Sequence, residues 1–294
     1  MTVAEAPGVD DAAFERYAGK NGYFSMIFDF GWENMEGEND KSSIHAVERW
    51  KKKMFTHVAH NSGIGWSAIF LENHDQSRCL NKFLERENIS FYSASALASI
   101  YFFLYGTPFI YQGQEIGMTN VKWKNINDMD DIRAKRTYEE AVGQGKDPEE
   151  VLAYFSELGR DNARTPMQWN SRFCAGFSSA PPWISLGYSW RAVNVEQEEK
   201  DENSVLHFYR DILAFRKGNP LIRYGTFELL CADDPHIFAY VRTYQGKRLL
   251  VICNFSEKSQ NAAAIYPNPE AIRFHNYPSI TPAVLRPFEL IAAL

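Results

Sequence analysis

Two carboxylates in this sequence stand where acid–base chemistry is often placed. Glu5 follows a short apolar stretch at residues 2–4, and Asp75 follows an apolar stretch at residues 66–71. Both stretches have the composition of buried strands, and in parallel barrels the catalytic groups lie at the C-terminal strand ends. A carboxylate in a loop is often only a solvated turn residue, but the shared position at a strand end favours a functional role for both.

The elements that would position these groups alternate between strand and helix. We predict strands at residues 2–4, 23–30, 66–71 and 108–111. Between them lie a short helix capped by Asp10 and closed by Gly19, an amphipathic helix begun by Ser43, and a largely buried helix at 93–105 closed by Gly106. Four strands separated by helices predict a parallel α/β sheet.

The second half of the chain changes character twice. Residues 130–157 form a charged helical insertion, and an aromatic-rich loop at 159–190 follows that is too long for a simple connection. An amphipathic helix at 203–217 then ends before Gly218 and Pro220. From about residue 221, alternating strands at 226–230, 237–242, 248–254 and 283–294 predict an antiparallel β domain.

Composition narrows the class of protein. The 294 residues are 45% hydrophobic and 23% charged, which is typical of a globular protein with one large or two smaller domains. A net charge of −6 gives no electrostatic reason to expect a nucleic-acid partner. No apolar run reaches the roughly 18 residues of a membrane helix, and no export leader precedes Thr2. We therefore expect no nucleic-acid or membrane partner and a cytoplasmic location.

Four motifs carry a resemblance to a known family. Residues 70–76, Phe-Leu-Glu-Asn-His-Asp-Gln, resemble the Asn-His-Asp motif of the α-amylase superfamily, and residues 2–8 are similar to that superfamily's segment around the acid/base glutamate. Residues 111–120 and 159–169 look like the oligo-1,6-glucosidase branch of glycoside hydrolase family 13. The similarity runs through nearly the whole chain.

The resemblance implies an α/β fold, the C-terminal half of a (β/α)8 TIM barrel followed by an antiparallel β-sandwich domain. The barrel part, strand 5 to helix 8, would occupy residues 1–220, with an inserted helical segment at about 118–165, and the all-β domain residues 221–294. In relatives, four strands, a nucleophilic Asp and usually a metal loop precede the segment that matches Glu5. We therefore expect a truncated chain whose partner is the missing N-terminal half of the barrel, with no metal site and no cofactor in this segment.

The resemblance also implies roles for four residues. Glu5 is the expected general acid/base, and Asp75 the carboxylate that binds sugar hydroxyls and stabilises the transition state. His74 is expected to donate to the sugar beside Asp75, although a lone His after a strand is often structural. Arg164 is expected to bind the hydroxyls of a terminal glucose, its alternative being a loop salt bridge, perhaps to Asp161.

The expected activity is that of a retaining α-glucosidase, similar to oligo-1,6-glucosidases, which hydrolyses terminal α-glucosidic bonds of short oligosaccharides. Lacking the nucleophile, the isolated chain should be inactive. Two alternatives stay open: a trehalose-phosphate hydrolase of the same branch, and a non-catalytic relative such as an ancillary subunit of a transporter. A non-catalytic relative would have no need to keep Glu5, His74 and Asp75 together, so their presence favours the enzyme.

Several positions differ from the family pattern, so the resemblance does not determine the substrate preference. Ser77 and Ala6 stand where relatives usually carry Pro and Met, and Arg133 lies where relatives often offer an acidic group to the leaving sugar. For Glu115 and Arg160, holding other site residues in place is as good an interpretation as contacting the sugar directly. The Arg-rich signature of sucrose isomerases is absent between residues 30 and 66, so hydrolysis is expected over isomerisation.

Overall fold

The parallel sheet carries the predicted strand ends. The computed structural model describes residues 1–28, 30 and 46–294. Its first four strands are parallel and adjacent in chain order: β1 (Val3–Glu5), β2 (Met26–Phe28), β3 (Ser67–Phe70) and β4 (Thr107–Phe109). Glu5 pairs in register with Phe28, and Phe70 with Phe109, so the strands end at one edge of the sheet. The predicted parallel α/β sheet is confirmed.

Helices connect these strands as the alternation predicts. They are α1 (Asp11–Ala18), α2 (Ala46–Ser62), α3 (Cys79–Phe83) and α4 (Phe91–Phe102). Asp10 caps α1, its carboxylate accepting from the Ala13 amide at 2.7 Å, and Gly19 closes the helix as predicted. Ser43, the predicted start of α2, lies outside the described residues. The short helix α3 was not predicted, because its five residues are too few to show a hydrophobic period.

Aromatic side chains pack over the sheet. The Phe28 ring meets the Phe70 ring edge-on at 5.2 Å and the Phe109 ring at 4.6 Å. All four residues of β3 are buried, which agrees with the run, apolar except for Ser67, from which the strand was predicted. The strands are therefore held by packing on their faces as well as by their backbone ladder.

Two buried arginines bind the end of α4. Arg216 donates to the carbonyls of Phe102 and Leu104 at 2.5 and 2.9 Å, and Arg242 donates to that of Phe103 at 2.5 Å. Burial lowers the pKa of each guanidinium to about 10. These carbonyls have no partner within the helix, so the arginines satisfy groups that would otherwise be buried without hydrogen bonds.

The segment predicted as a charged helical insertion contains two helices. They are α5 (Ile132–Gly143), capped by Asp131, and α6 (Pro148–Leu158), capped by Asp147. The break falls where Gly145 adopts a φ of +87° and Pro148 begins the next helix, so the chain cannot continue as one helix. The helical character of residues 130–157 is as predicted, and the turn between the two helices was not predicted.

The rest of the chain contains three α-helices and seven strands, besides short 3-10 helices. The helices are α7 (Val195–Lys200), α8 (Val205–Gly218) and α9 (Pro220–Tyr224). The strands are β5 (Thr226–Leu230), β6 (Ile237–Tyr244), β7 (Lys247–Asn254), β8 (Gln260–Asn261), β9 (Ile272–His275), β10 (Val284–Leu285) and β11 (Leu290–Ala293). They form an antiparallel five-stranded sheet in the order β5-β6-β7-β11-β9 and a two-stranded sheet, β10-β8.

The predicted antiparallel C-terminal architecture is therefore confirmed, with two differences in detail. Strands β8 and β9 were not predicted, and the single strand predicted at 283–294 is the pair β10 and β11. Phe288, with a φ of +54°, and the preceding Pro287 interrupt it, since neither conformation continues a strand.

The chain forms two compact units. The first comprises Met1–Phe70, Tyr92–Phe109 and Tyr209–Leu294, and it contains the parallel sheet and both antiparallel sheets. The second comprises Leu71–Phe91 and Ile110–Phe208, and it contains α3, α5, α6 and α7. The boundary expected between residues 220 and 221 stays a prediction. Among the described residues, no helix has the length and hydropathy needed to cross a membrane.

Candidate active site

Glu5 lies in the first unit, at the last position of β1. Its side chain is exposed, and the following amide, that of Ala6, donates to the Phe28 carbonyl at 3.1 Å. The ladder therefore continues just past Glu5 and fixes its backbone while its carboxylate stays accessible to solvent. The strand-end position is as predicted, and the acid/base role stays a prediction.

Asp75 is the centre of a charged cluster in the second unit. Its Oδ1 accepts from Arg164 Nη2 at 2.8 Å and from Arg160 Nη1 at 3.1 Å, while His74 Nε2 lies 3.3 Å from its Oδ2. The Asp75 amide donates to Asn73 Oδ1 at 2.8 Å, which tightens the turn. The side chain of Asp75 remains 42% exposed. One carboxylate oxygen is thus occupied by guanidinium groups, and the other faces the imidazole.

The two arginines are themselves held by aspartates. Arg160 binds Asp131 through two parallel contacts, Nε to Oδ2 at 2.6 Å and Nη2 to Oδ1 at 2.7 Å. Arg164 donates through Nε to the His74 carbonyl at 2.8 Å, and its Nη1 lies 3.6 Å from Asp161 Oδ1. The salt bridge to Asp161 that served as the alternative for Arg164 is therefore present beside the contact with Asp75.

Buried Asp161 links the arginines to the start of α5. Its Oδ2 accepts from the backbone amides of Asp130 and Asp131 at 2.7 and 2.8 Å. Asp131 is also the N-cap of α5, where its Oδ1 accepts from the Arg133 amide at 2.9 Å. The start of this helix, the two arginines and Asp75 therefore form one connected set of hydrogen bonds.

The charge states of this cluster follow from its pairing. Burial by itself would raise the pKa of Asp131, but hydrogen bonds from Arg160 and the Arg133 amide outweigh it, and the pKa is lowered from its ordinary value. The hydrogen bond to Asp131 likewise raises the pKa of Arg160, with a smaller contribution from Asp75. The pair formed by Asp131 and Arg160 is therefore fully ionised at neutral pH.

A fully buried ion pair fixes the segment that carries His74 and Asp75. Arg78 Nη1 donates to Glu72 Oε1 at 2.9 Å and to the Gln112 carbonyl at 2.6 Å, and Arg78 Nη2 donates to the Ala163 carbonyl at 3.3 Å. Both side chains have no exposed surface. Arg78 thus connects three loops of the second unit, those that follow β3 and β4 and the one that carries Arg164.

The other oxygen of Glu72 completes this arrangement. Glu72 Oε2 accepts from the Cys79 amide at 2.5 Å, at the start of α3. Burial, followed by the nearby Glu72 charge, raises the pKa of the Cys79 thiol well above its ordinary value, so this cysteine is a neutral packing residue.

Glu115 has a comparable environment in the loop after β4. Its Oε2 accepts from the Gly113 amide at 2.8 Å, and Gly113 has a φ of +89°. Burial raises the pKa of Glu115 from its ordinary value. The short contact to its own loop supports a structural role over direct binding. Among the described residues, no three His, Cys, Asp or Glu side chains gather to hold a metal ion.

The structure brings together three of the four predicted site residues. His74, Asp75 and Arg164 meet in the second unit, whereas Glu5 belongs to the first unit. The supporting role of Asp131 was missed, and so was the buried pair of Glu72 and Arg78. Asp131 could have been found from its position before a helical pattern, where Asp is a preferred N-cap. Nothing local marks Glu72 as buried.

The chain matches known proteins along most of its length. Residues 1–225 match the family model described as alpha amylase, catalytic domain. A probable oligo-1,6-glucosidase of Bacillus subtilis (strain 168) is 41% identical over 257 residues, which are 87% of this chain and 46% of that protein. A trehalose-6-phosphate hydrolase of Escherichia coli (strain K12) is 34% identical over 310 residues, 99% of this chain and 54% of that protein.

Solved structures give the same picture. The trehalose-6-phosphate hydrolase of Bacillus licheniformis superposes with a TM-score of 0.89 at 28% identity, covering 99% of this chain and 55% of the other. An isomaltulose synthase from Klebsiella sp. LX3 gives a TM-score of 0.89 at 29% identity with the same coverage of 99% and 55%. The chain spans about half the length of the curated relatives it matches.

Proposed function

This chain belongs to the alpha-amylase family, and we propose that it acts as a glycoside hydrolase of the α-glucosidase type. The proposed reaction is retaining hydrolysis of terminal α-glucosidic bonds in short oligosaccharides. In such reactions one carboxyl group protonates the leaving oxygen and later acts as base, while another attacks the sugar. We assign the acid/base role to Glu5, whose exposed carboxylate ends β1.

One observation carries the proposal: Asp75 is oriented by two arginines yet remains 42% exposed. A carboxylate that is fixed at one oxygen and partly exposed to solvent is suited to accept hydrogen bonds from sugar hydroxyls. His74 Nε2, 3.3 Å from Asp75 Oδ2, supplies a donor beside it. We propose that these residues and Arg164 bind the sugar ring that reacts.

The charge balance of this cluster favours a neutral oligosaccharide as substrate. Arg160 and Arg164 both contact aspartates, and three carboxylates, those of Asp75, Asp131 and Asp161, surround the two guanidinium groups. A phosphate brought to this cluster would compete with ion pairs already formed and would meet a net negative charge. The identity of 41% with a probable oligo-1,6-glucosidase supports the same choice.

A trehalose-phosphate hydrolase is the second candidate, because a relative of that name matches 99% of this chain. It requires a cationic group elsewhere to bind the phosphate. A non-catalytic role in assembly is the third, and it predicts that no α-glucoside is hydrolysed even when the chain is co-expressed with the part of a relative that it does not match.

We further propose that hydrolysis needs a nucleophilic carboxylate that is neither Glu5 nor Asp75. Asp75 is held by guanidinium hydrogen bonds at Oδ1, which lowers the nucleophilicity of that oxygen, and covalent attack tolerates little misplacement. Residues 1–294 alone are therefore expected to show no α-glucosidase turnover. A rate within about tenfold of the typical enzyme median of roughly 10 per second would contradict this.

The test is an assay of the chain with and without the part of a relative that it does not match. The chain is purified alone and co-expressed with the part of the Bacillus subtilis relative that it does not match. Isomaltose, maltose, p-nitrophenyl α-glucoside, sucrose and trehalose 6-phosphate are offered, and NMR follows the anomer released. We expect hydrolysis of isomaltose with retention, and free sugars from sucrose in place of an isomer.

The controls separate the candidates. Asp75→Asn should abolish the activity, whereas Asp147→Asn, the same change at the cap of α6, should leave it unchanged. Faster hydrolysis of trehalose 6-phosphate than of isomaltose would replace the first candidate by the second. A stable co-purified complex with no activity toward any substrate would favour the non-catalytic relative.

A further inference from the structure

The carboxylate of Asp75 is held at one of its two oxygens. Both guanidinium contacts to Asp75 reach the same oxygen, Oδ1, at 2.8 and 3.1 Å. A half-exposed aspartate without such contacts rotates freely about its side-chain bonds. Two donors on one oxygen define the plane of the carboxylate, so Oδ2 keeps a fixed direction toward His74.

Arg160 contacts Asp75 from a position in which Asp131 holds its guanidinium group. A guanidinium group is planar and presents its N–H groups in a rigid fork. The Nε and Nη2 of Arg160 bind the two oxygens of Asp131 at 2.6 and 2.7 Å, which leaves Nη1 pointing at Asp75. Because the fork is rigid, the position of the Asp131 carboxylate determines where Nη1 lies.

Asp131 is in turn fixed more firmly than either arginine. Its side chain is only 8% exposed, against 29% for Arg160. Its Oδ1 caps α5 through the Arg133 amide, and its own amide donates to buried Asp161 at 2.8 Å. The start of α5 therefore provides a rigid anchor to which the arginine fork is attached.

We propose that Asp131 is a positioning residue, which sets the orientation of Asp75 through the guanidinium of Arg160. The proposal rests on the proposed function in one respect, that Asp75 contacts the substrate. The N-terminus of α5 would then help to position the site, because a single side chain, that of Arg160, connects Asp131 to Asp75.

Asp131→Asn is the decisive variant. Asn has nearly the same volume and caps a helix as well as Asp, so the bond to the Arg133 amide can persist. It has only one oxygen and no charge, so the two parallel contacts with Arg160 are lost. Asp147→Asn is the matched control, because Asp147 caps α6 in the same way, accepting from the Glu149 amide at 3.0 Å, without binding an arginine side chain in the described structure.

The first measurement uses the chain as it is. NMR of protein labelled with 15N-arginine and 13C-aspartate reports the Nε–H of Arg160 and the carboxyl carbon of Asp75, each assigned with a single variant. We expect Asp131→Asn to speed hydrogen exchange at Arg160 Nε and to move the Asp75 resonance, and Asp147→Asn to do neither. An unmoved Asp75 resonance in Asp131→Asn would overturn the proposal, whether or not any enzyme activity is found.

The second measurement uses the co-expressed enzyme. We expect Asp131→Asn to lower kcat by about 10- to 100-fold with a smaller change in KM, because a catalytic group displaced by about 1 Å costs that much. A shifted Asp75 resonance with unchanged kcat would also overturn the proposal. Absence of activity in the unsubstituted protein contradicts the proposed function instead, and the NMR result then decides the positioning role alone.

A second variant covers the case in which Asp131→Asn unfolds. Arg160→Lys keeps the charge and leaves the helix cap untouched, but an ammonium group cannot make the two parallel contacts and the third contact to Asp75 at once. It should move the Asp75 resonance in the same way. Equal melting temperatures of Arg160→Lys and the unsubstituted chain, together with an unmoved resonance, would rule the positioning role out.

Discussion

Replacing Arg78 by Met tests the buried ion pair beneath the segment that carries His74 and Asp75. The substitution leaves the Glu72 carboxylate buried without its cation and removes the donor from the Gln112 and Ala163 carbonyls. Breaking one side of a buried ion pair costs about 3–5 kcal/mol. A carbonyl that loses its partner adds roughly 1 kcal/mol. With two such carbonyls, we expect Arg78→Met to lower the free energy of unfolding by about 5–7 kcal/mol.

Urea unfolding followed by tryptophan fluorescence at neutral pH measures the loss. Arg86→Met is the matched control, since Arg86 is exposed on a short turn of the same unit and should change stability by less than about 0.5 kcal/mol. The double variant Glu72→Leu/Arg78→Met removes both charges and should recover at least half of the loss, because no uncompensated charge remains. If Arg78→Met unfolds like the control, or if the double variant is no more stable than the single one, the reasoning is wrong.

Four further outcomes are expected. In the co-expressed enzyme, Glu5→Gln should lower turnover of isomaltose by about 10² to 10⁴ fold and that of p-nitrophenyl α-glucoside much less, because a good leaving group needs no protonation; equal losses on both substrates would refute the acid assignment. Arg164→Ala should lower kcat/KM for every α-glucoside by a similar factor, since all share the terminal ring, and a loss confined to one substrate would contradict this. Asp10→Ala should reduce the free energy of unfolding by about 1 kcal/mol through loss of the α1 cap, measured by urea unfolding. Finally, the pKa of Asp131 is lowered in the folded chain, so its ionisation contributes stability above the unfolded-state pKa of about 3.9. This stability is lost as pH falls through the folded-state pKa. Below about pH 4, the melting temperature of the unsubstituted chain should therefore fall more steeply with pH than that of Asp131→Asn.

The strands were predictable because their sequence signal is local. The residues of β3 and β5 were found almost to the residue, since each is a short apolar or alternating run between turn residues. The division of the insertion into α5 and α6, and of the last segment into β10 and β11, depends on single residues with positive φ. Gly145 and Phe288 give little warning of this in a hydrophobic pattern.

The candidate site was predictable where a motif named its residues and not where geometry assembled it. His74, Asp75 and Arg164 were expected from the resemblance, and they meet in the second unit. Asp131 lies 29 residues from Arg160 along the chain, and no spacing rule relates the two. Pairings of this kind depend on how loops return to each other, which one sequence does not reveal.

The arginines that bind the end of α4 affect how this protein can be truncated. Arg242 comes from β6, yet it donates to the Phe103 carbonyl beside the parallel sheet, and the Tyr240 hydroxyl donates to the Ile100 carbonyl at 3.0 Å. Excising the antiparallel strands would thus strip hydrogen bonds from a helix end that belongs to the parallel sheet's own unit. We therefore expect removal of residues 226–294 to lower the thermal stability of the unit that holds the parallel sheet, because buried carbonyls at the end of α4 would lose their donors.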